Sequence, residues 1–407
     1  MKKHLVVVGG GQAALQTVQS ARQLGYDGDI TLVADELDPP YQRPPLSKQY
    51  LAGKLARERL YLRPASFYAD QGVRLMPGRA ALEIQVAQQG VRLDDDSVLR
   101  FSELVLATGS RARRLSVPGA ELAGIHYVRT IPDIDALRAE LEPGKRLVIV
   151  GGGYIGLEAA AVAVALGLQV TVLEAAPRLL ARVVCEELAE FYTRCHTEAG
   201  VAIQCGTEVT AFAGEDRVLA VETRVGTRID CDLVIAGIGV LPNVELAAQA
   251  GLECDDGILV DSGSRTADPN IFAAGDCSNH PHPFAPHRVR LESVNNAVEQ
   301  GKAAAASLLG HTAPFESVPW FWSDQYDLKL QIAGLALDYE QVVVRGNPSR
   351  KGFAVYYLAA GVPIAVDAVN SPRDFMGAKK LIAARRKLSA QEIADPEIDL
   401  TARFSDG

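Results

Sequence analysis

One pattern occurs twice in the 407-residue chain, and it constrains the fold more than any other feature. A short β-branched run ends in three glycines, a helical segment follows, and a second apolar run then ends at an acidic residue. The first copy extends from Leu5 to Asp35, and the second extends from Leu147 to Glu174. A strand, a glycine-rich turn and a helix in this order form a βαβ unit of a parallel sheet. Since each such sheet offers one ligand crevice, the repeat predicts two nucleotide sites.

The first glycine loop reads Gly9-x-Gly11-x-x-Ala14. Gly9 allows the tight turn out of the strand, Gly11 lets a pyrophosphate approach the backbone, and Ala14 packs helix on strand. A pyrophosphate there would bind the positive end of the helix. At the end of the next strand, Asp35 is favoured over Glu36 as the acid that binds a ribose. The alternatives are a chance glycine turn and an ordinary turn acid.

The second loop, Gly151-x-Gly153-x-x-Gly156, has all three glycines, and Glu174 stands 18 positions after Gly156. A carboxylate at that place accepts hydrogen bonds from the adenosine ribose and repels a 2′-phosphate. The loop therefore predicts a preference for NADH over NADPH. Arg178 follows one turn later and would soften this preference, unless it is simply a solvated surface charge.

Composition excludes several other classes of protein. A net charge of −9 provides no basic field for nucleic acid or anionic lipid. The apolar stretch from Leu147 to Leu173 contains Glu158 and reads as a buried strand, turn and helix, so no membrane span is expected. The apolar run after Lys3 breaks at Gly9 and does not resemble a signal peptide, which predicts a cytoplasmic protein. Six cysteines, none closer than ten positions to the next, predict free thiols.

The fold class predicted is α/β, with two three-layer Rossmann-like dinucleotide-binding domains and a C-terminal α+β domain with an antiparallel sheet. From about Pro319 the pattern changes to alternating stretches such as 341–345 and 353–357, which indicate antiparallel strands. A helix that contains Lys379, Lys380 and the basic run 385–387 is expected to follow. The predicted domains are residues 1–110 with 247–318, residues 111–246, and residues 319–407.

A group of possible metal ligands lies just after Asp276. It consists of Cys277, His280, His282 and His287. Their spacing matches no zinc ribbon and three prolines stiffen the loop, so no metal site is expected.

Four segments and two shorter turns make the sequence resemble a known family. The segments are 40–48 (PYQRPPLSK), 153–158 (GYIGLE), 236–243 (AGIGVLPN) and 319–325 (PWFWSDQ), and the turns are 106–109 (LATG) and 274–276 (AGD). Together they resemble the FAD-dependent ferredoxin reductases of oxygenase systems, of the putidaredoxin reductase type, within the glutathione reductase superfamily. The resemblance extends from about Leu5 to Asn370.

This resemblance implies two sets of cofactor-binding residues. For FAD they are Gly9, Gly11, Ala13, Ala14, Asp35, Arg43, Lys48, Ala81, Thr108, Gly109, Arg129, Asp276, Val294 and Trp322. For NAD they are Gly151, Gly153, Tyr154, Ile155, Gly156, Glu174 and Gly239. The domain formed by residues 1–110 and 247–318 would then bind FAD, and the domain formed by residues 111–246 would bind NAD.

Three residues would take part in the reaction itself. The resemblance places Lys48 near the flavin, with Glu158 facing it across the nicotinamide site, where the pair would balance charge as the flavin is reduced. The alternative for Lys48 and Glu158 is a surface ion pair. Trp322 would pack against the flavin or nicotinamide and is favoured over Trp320, for which a place in a hydrophobic core is as good an interpretation.

The implied reaction is hydride transfer from NADH to N5 of FAD, followed by one-electron transfers to a two-iron two-sulfur ferredoxin that feeds a haem monooxygenase or a Rieske dioxygenase. The alternatives are a rubredoxin reductase and a non-catalytic flavoprotein of the apoptosis-inducing-factor kind. A flavin disulfide reductase is close to excluded, because residues 1–184 contain no cysteine.

The ferredoxin is expected to be an acidic, transient partner that docks on a local basic patch. The candidate docking residues are Arg63, Lys302 and Lys329 by resemblance, and Arg288 and Arg290 by local charge. The chain is expected to be a monomer, because its last domain lacks a recognisable long apolar helix face.

Overall fold

The structure is a computed structural model that describes residues 3–311 and 317–400. The described residues fall into two compact units. The first unit draws them from Met1–Gln42, Arg57–Arg111 and Leu241–Trp320. The second unit draws them from Arg43–Ala56, Ala112–Val240 and Phe321–Gly407.

The strands form parallel and antiparallel sheets in both units. In chain order they are β1 (His4–Val8), β2 (Asp29–Ala34), β3 (Val73–Pro77), β4 (Ala81–Gln85), β5 (Gly90–Leu93), β6 (Val98–Arg100), β7 (Glu103–Leu106), β8 (Ser110–Ala112), β9 (Ile125–Tyr127), β10 (Arg146–Val150), β11 (Gln169–Glu174), β12 (Ala202–Cys205), β13 (Val209–Gly214), β14 (Val218–Thr223), β15 (Arg228–Asp230), β16 (Leu233–Ala236), β17 (Val240–Pro242), β18 (Ile258–Leu259), β19 (Ile271–Ala273), β20 (Ser278–Asn279), β21 (Trp320–Gln325), β22 (Leu328–Gly334), β23 (Gln341–Asn347), β24 (Gly352–Ala359) and β25 (Val362–Val369).

The helices lie between these strands in the chain, except for the last two, which follow β25. They are α1 (Gln12–Gln23), α2 (Ala65–Asp70), α3 (Ile131–Arg138), α4 (Tyr154–Ala165), α5 (Glu186–Glu198), α6 (Glu245–Gln249), α7 (Val294–Leu308), α8 (Pro372–Ala384) and α9 (Ala390–Ala394). Shorter helical turns are a π-helical turn at Leu46–Tyr50 and 3₁₀ turns at Arg57–Leu60 and Val86–Gln88.

The first unit has three layers built around a parallel sheet with the strand order β19-β7-β1-β2-β3. Strand β1 shows why both faces are covered. Leu5 and Val7 pack with α1, whereas Val6 and Val8 pack with Ile84 of the antiparallel sheet β4-β5-β6. Because neighbouring side chains of a strand point to opposite faces, an unbroken apolar run requires a layer on each side.

The second unit repeats this arrangement with a parallel sheet in the order β12-β11-β10-β16-β9. Helix α4 packs against β10 and β11, and the antiparallel strands β13-β14-β15 cover the other face. The helix begins at Tyr154, directly after the second glycine loop's Gly153, and ends at Ala165.

The second unit also contains an antiparallel sheet in the order β21-β22-β25-β24-β23, with α8 against β22 and β25. The predicted strands 341–345 and 353–357 are both present and somewhat longer than expected. Helix α8 ends at Ala384 because Arg385 adopts a left-handed conformation (φ 49°), so the run 385–387 follows the helix rather than extending it.

One buried arginine fixes the last described segment of the chain. The guanidinium of Arg345 donates to Asp374 at 2.8 Å and to the backbone carbonyls of Ile393, Asp395, Pro396 and Ile398. This arginine binds α9 and the residues after it to β23.

The predicted fold class is confirmed, with two parallel-sheet domains and a C-terminal antiparallel sheet. A division into two compact units does not test the predicted division into three domains, whose boundaries stay a prediction. Residues 43–56 belong to the second unit, together with the C-terminal sheet. In the part of the chain that the structure describes, no helix combines the length and apolar character needed to cross a bilayer.

Candidate active site

The first glycine loop leaves β1 in a backbone conformation that requires glycine. Gly9 has φ +129°, and a Cβ there would lie 2.0 Å from the carbonyl oxygen of Ala107. At Gly11, by contrast, no described atom lies within 4 Å of the position of an added Cβ. Gly11 caps α1, and Ala13 and Ala14 in its first turn are buried. The helix end is therefore open to a ligand while the turn behind it is tightly packed.

A second group of residues in the first unit lies where β7 and β19 end. The hydroxyl of Thr108 donates to the carbonyl of Asn243 at 2.7 Å, and the Asn243 amide donates back to Thr108 at 2.8 Å. Gly109 has φ +65° and accepts from the Asn243 N–H. Ser110 donates to the Asp276 carboxylate at 2.7 Å. These bonds fix the loop in which the predicted FAD residues Thr108, Gly109 and Asp276 lie.

Three predicted FAD residues of the first unit remain, namely Asp35, Ala81 and Val294. Asp35 is exposed, and its carboxylate accepts a bond from the Glu36 N–H at 3.1 Å. Glu36 is half-buried and accepts from the Tyr41 hydroxyl at 2.5 Å. Ala81 begins β4, and Val294 begins α7.

The second glycine loop, in the second unit, is packed more tightly than the first. Gly151 has φ +112°, and a Cβ there would lie 2.3 Å from the Gly237 carbonyl oxygen. A Cβ at Gly156 would lie 2.2 Å from the Gly151 oxygen. Around Gly153, which caps α4, no described atom lies within 4 Å of an added Cβ. Only this middle glycine therefore leaves space for a ligand.

The acid of the second unit binds its own loop. Glu174 accepts from the Gly152 N–H at 2.6 Å and from the Ala176 N–H at 2.8 Å. Each carboxylate oxygen has a second lone pair, so both remain able to accept from a ribose hydroxyl. Gly239 has φ +98° and accepts from the Arg113 N–H.

The first turn of α4 presents two different side chains. Ile155 is 38% exposed, whereas the Tyr154 ring packs 5.1 Å from that of Phe321. The Tyr154 hydroxyl is buried and has no partner among the described residues. Burial raises the pKa of Tyr154 well above its usual value, so this hydroxyl remains protonated.

Lys48 and Glu158 form a buried ion pair in the second unit. The Lys48 ammonium lies 2.8 Å from Oε2 of Glu158, which is only 4% exposed. Ser47 donates to the same oxygen at 2.5 Å, and Ser323 donates to Oε1 at 2.6 Å. Lys48 also donates to the Pro44 carbonyl at 3.1 Å. A carboxylate that is 4% exposed and contacts a cation and two hydroxyls belongs to the interior of the unit, so the pair is not the surface ion pair considered as an alternative.

The other predicted FAD residues of the second unit lie in two loops and on one strand. Arg43 donates to the carbonyl of Arg129 at 2.8 Å, so these two predicted FAD residues are neighbours. Trp322 is half-buried on the edge strand β21. On this strand, Ser323 points towards Glu158, so Trp322 points to the opposite face.

The cysteines and the loop after Asp276 carry the remaining thiols and imidazoles considered from the sequence. All six thiols are free. Burial raises the pKa of Cys277 and raises that of Cys185 to about 11, so both are protonated. Burial lowers the pKa of His280 to about 3 and of His282 to about 4. Among the described residues, no group of three or more candidate ligands is arranged to hold a metal ion.

Four of the five predicted docking cations already have partners within the protein, and Arg63 is one of them because it donates to the Gln19 amide oxygen at 2.9 and 2.8 Å. Lys302 pairs with Glu299 at 2.9 Å. Arg290 pairs with Asp256 and Glu292, and Arg288 donates to the carbonyls of Val260 and Asn279. Arg63 lies over the ring of Phe67, and Lys329 is exposed.

Comparison with known proteins identifies the class. The model of the pyridine nucleotide-disulphide oxidoreductase family matches residues 3–301, and the reductase C-terminal model matches residues 320–403. The chain therefore belongs to the pyridine nucleotide-disulphide oxidoreductase family, and it is an FAD-dependent oxidoreductase with FAD and NAD(H) as cofactors. The resemblance noted in the sequence is confirmed, as is the prediction of both cofactors.

Particular relatives narrow the comparison. The chain is 44% identical to rhodocoxin reductase of Rhodococcus erythropolis over 97% of this chain and 93% of that one. It is 43% identical to a ferredoxin–NAD(P)+ reductase of Sphingomonas sp. over 97% and 96% of the two chains. It is also similar to the reductase in the crystal structure of the covalent putidaredoxin reductase–putidaredoxin complex, with a TM-score of 0.96, 41% identity and coverage of 99% and 98%.

Both glycine loops fit the diphosphate of a dinucleotide. Each begins a 12-residue helix at a glycine whose side-chain position is open, and in neither first turn does the described structure place an acidic residue. Backbone N–H groups and the helix dipole at such an end attract phosphate.

Sequence reasoning did not assign roles to Ser47, Ser323 and Asn243. All three lie inside the segments that carry the family resemblance, and that was the available signal. Their partners, by contrast, lie more than 100 positions away in the chain.

Proposed function

We propose that this protein is an NADH-dependent ferredoxin reductase. The observation that carries the proposal is the buried Lys48–Glu158 pair in a chain that also has two dinucleotide loops. The relatives named ferredoxin–NAD(P)+ reductase and rhodocoxin reductase support it, because the likeness covers nearly the whole of both chains.

In this proposal the first unit holds FAD. Gly11 and the first turn of α1, with Ala13 and Ala14, bind the diphosphate, while Asp35 binds the adenosine ribose. Asp276 binds the ribityl chain. The other FAD contacts proposed in this unit are Gly9, Ala81, Thr108, Gly109 and Val294. When bound, FAD accepts a hydride from the reduced nicotinamide and passes electrons on singly.

The Gly153 loop and α4 bind NADH, with Tyr154, Ile155 and Gly239 as further contacts. Glu174 supplies the preference for NADH, because its carboxylate would repel a 2′-phosphate and accept from two ribose hydroxyls. Its bonds to Gly152 and Ala176 hold the carboxylate beside the loop in advance.

Lys48 and Glu158 act at the place where the nicotinamide is oxidised. The ammonium stabilises negative charge that develops on the reduced cofactor, and the carboxylate keeps that ammonium charged and oriented. Trp322 provides a flat apolar surface that excludes water from the reacting rings. The reaction proposed here requires no nucleophile from the protein.

The proposed acceptor is an acidic two-iron two-sulfur ferredoxin of a haem monooxygenase or Rieske dioxygenase system, and we propose a cytoplasmic monomer. Lys329 is the best of the predicted docking cations because it is exposed, whereas Lys302 already pairs with Glu299. The competing functions are those of a rubredoxin reductase and of a non-catalytic flavoprotein.

The first test is the visible spectrum of the purified protein and its anaerobic mixing with NADH and NADPH. A flavin spectrum that NADH bleaches much faster than NADPH supports the proposal, and turnover with a ferredoxin rules out a non-catalytic flavoprotein. A protein that cannot be reconstituted with FAD would contradict it.

The docking proposal is tested with Lys329→Glu, and Lys302→Glu serves as the matched control. Lys329→Glu should slow ferredoxin reduction and weaken its dependence on salt, with ferricyanide reduction unchanged. Equal losses with both acceptors would show that the substitution acts on the enzyme rather than on docking.

A further inference from the structure

A continuous chain of hydrogen bonds connects the Lys48–Glu158 pair to the surface of the second unit. The hydroxyl of Tyr326, which is 40% exposed, lies 2.9 Å from Nδ1 of His196. Nε2 of His196 lies 2.8 Å from Oε1 of Gln325. The Gln325 amide lies 3.2 Å from Oγ of Ser323, which in turn lies 2.6 Å from Oε1 of Glu158.

The direction of every bond in this chain follows from the charge at its end. An ionised Glu158 can only accept, so the Ser323 hydroxyl must donate to it. The Ser323 oxygen then accepts from the Gln325 amide, which turns the Gln325 carbonyl towards His196. His196 must therefore donate from Nε2 and accept at Nδ1, where the Tyr326 hydroxyl donates.

Burial supports this arrangement at each step. His196 and Ser323 are both 0% exposed, and Gln325 is 1% exposed. Burial lowers the pKa of His196, which keeps the ring neutral and leaves Nδ1 free of a proton. Donors that all point the same way polarise one another, so the last hydroxyl binds the carboxylate more strongly than an isolated serine would.

We propose that Ser323, Gln325 and His196 are positioning residues that hold the Glu158 carboxylate directed at Lys48. Ser323 is the residue that transmits this effect, because it is the one that contacts the carboxylate. The inference rests on the proposed function of the Lys48–Glu158 pair in nicotinamide oxidation, and it adds the residues on which that pair depends.

The test is a double-mutant cycle on the FAD-loaded enzyme. Wild type, Ser323→Ala, Glu158→Gln and the double variant are mixed anaerobically with NADH, and bleaching of the flavin band is followed by stopped flow. We expect Ser323→Ala to slow reduction about tenfold, as for loss of one hydrogen bond to a charged group. In the Glu158→Gln background, the same substitution should change the rate less than about twofold.

The outcomes separate this inference from the proposed function. If Ser323→Ala slows reduction equally in both backgrounds, its effect is merely structural and the positioning network is overturned, while the function of the pair stands. If Glu158→Gln itself leaves the rate unchanged, the proposed function of the pair fails, and the network fails with it.

Two further variants keep the test decisive. Ser323→Cys retains the shape of the side chain with a much weaker donor, and it replaces the alanine variant if that one does not hold flavin. Ser371→Ala is the matched control, because the Ser371 hydroxyl also donates to a carboxylate, that of the half-buried Asp374, at 2.6 Å. We expect it to leave the reduction rate unchanged, and a tenfold loss there would overturn the assignment to the network.

Discussion

The two glycine loops begin alike and then differ in how they are closed. In both, the first glycine has a positive φ and lies against a backbone carbonyl, and the middle glycine is open. The third position accommodates the Cβ of Ala14 in the first loop, whereas a Cβ at Gly156 would lie 2.2 Å from the Gly151 oxygen. The second loop is therefore the tighter one.

The acidic residues differ in the same sense. Glu174 accepts two backbone N–H groups, one of them from Gly152 within the loop. Asp35 is exposed and bonds only to its neighbour's N–H among the bonds described. In the second loop, Glu174 thus holds the loop backbone through its hydrogen bond to Gly152. In the first unit, the side chain of Asp35 is exposed and is directed outwards. Under the proposed function, the loop that its own acid binds is the one for NADH, and the loop with the exposed acid is the one for FAD.

Among the substitutions in the two loops, Gly9→Ala should have the largest effect on stability and flavin content. The substitution imposes an unfavourable φ and places a Cβ 2.0 Å from the Ala107 oxygen. We expect little flavin in the purified protein and a loss of several kcal/mol of unfolding free energy. The ratio of flavin to protein absorbance and a thermal melt measure both.

Gly11→Ala is the matched variant for that experiment. Its Cβ meets no described atom within 4 Å, so the fold should remain intact while the pyrophosphate is obstructed. If Gly11→Ala lowers the stability of the flavin-free protein as much as Gly9→Ala does, Gly11 is required for the fold of the loop. The interpretation that Gly11 only leaves space for the pyrophosphate would then be wrong.

Gly156→Ala gives the second loop the third residue of the first loop. Because the new Cβ would push against the Gly151 carbonyl, we expect a loss of about 1–3 kcal/mol of stability and much weaker NADH binding. The reverse exchange, Ala14→Gly, should cost only about 1 kcal/mol, the usual difference in a helix. Chemical denaturation of both variants tests the asymmetry, and equal losses would contradict it.

Gly153→Ala should act on NADH alone. The side-chain position is open, so we expect unchanged melting and flavin content and a KM for NADH raised about tenfold or more. A variant with unaltered KM would show that the diphosphate does not bind at α4.

Glu174→Gln should have the smallest effect. The amide retains one acceptor but loses the charge that would repel a 2′-phosphate, so the ratio of kcat/KM for NADH over NADPH should fall several-fold. A companion Asp35→Asn variant should leave this ratio unchanged while weakening FAD retention. An equal shift of the ratio in both variants would remove the assignment of the two loops to different cofactors.

The sequence predicted the repeat, the fold class and a helix after each glycine loop, because glycine spacing and apolar periodicity are local signals. It also gave Lys48 and Glu158 through the family resemblance. It did not reveal that Ser47 and Ser323 contact the same carboxylate. That contact joins strands and turns far apart in the chain, and a serine gives no periodic signal.

The boundary at residue 43 was equally hidden from the sequence. Tyr50 donates to Asp135 at 2.6 Å, and Arg138 lies over the Tyr50 ring, so these contacts place residues 43–56 with the second unit. Such packing depends on tertiary contacts, which a single sequence does not encode locally.

The state of the thiols has a consequence for the lifetime of the enzyme. Reduced flavins that meet oxygen release peroxide, which attacks thiolates far faster than thiols. Burial raises the pKa of Cys185 to about 11 and of Cys231 to about 12, so thiolate is scarce at both residues at neutral pH. Peroxide formed in air should therefore oxidise Cys185 and Cys231 only slowly at neutral pH.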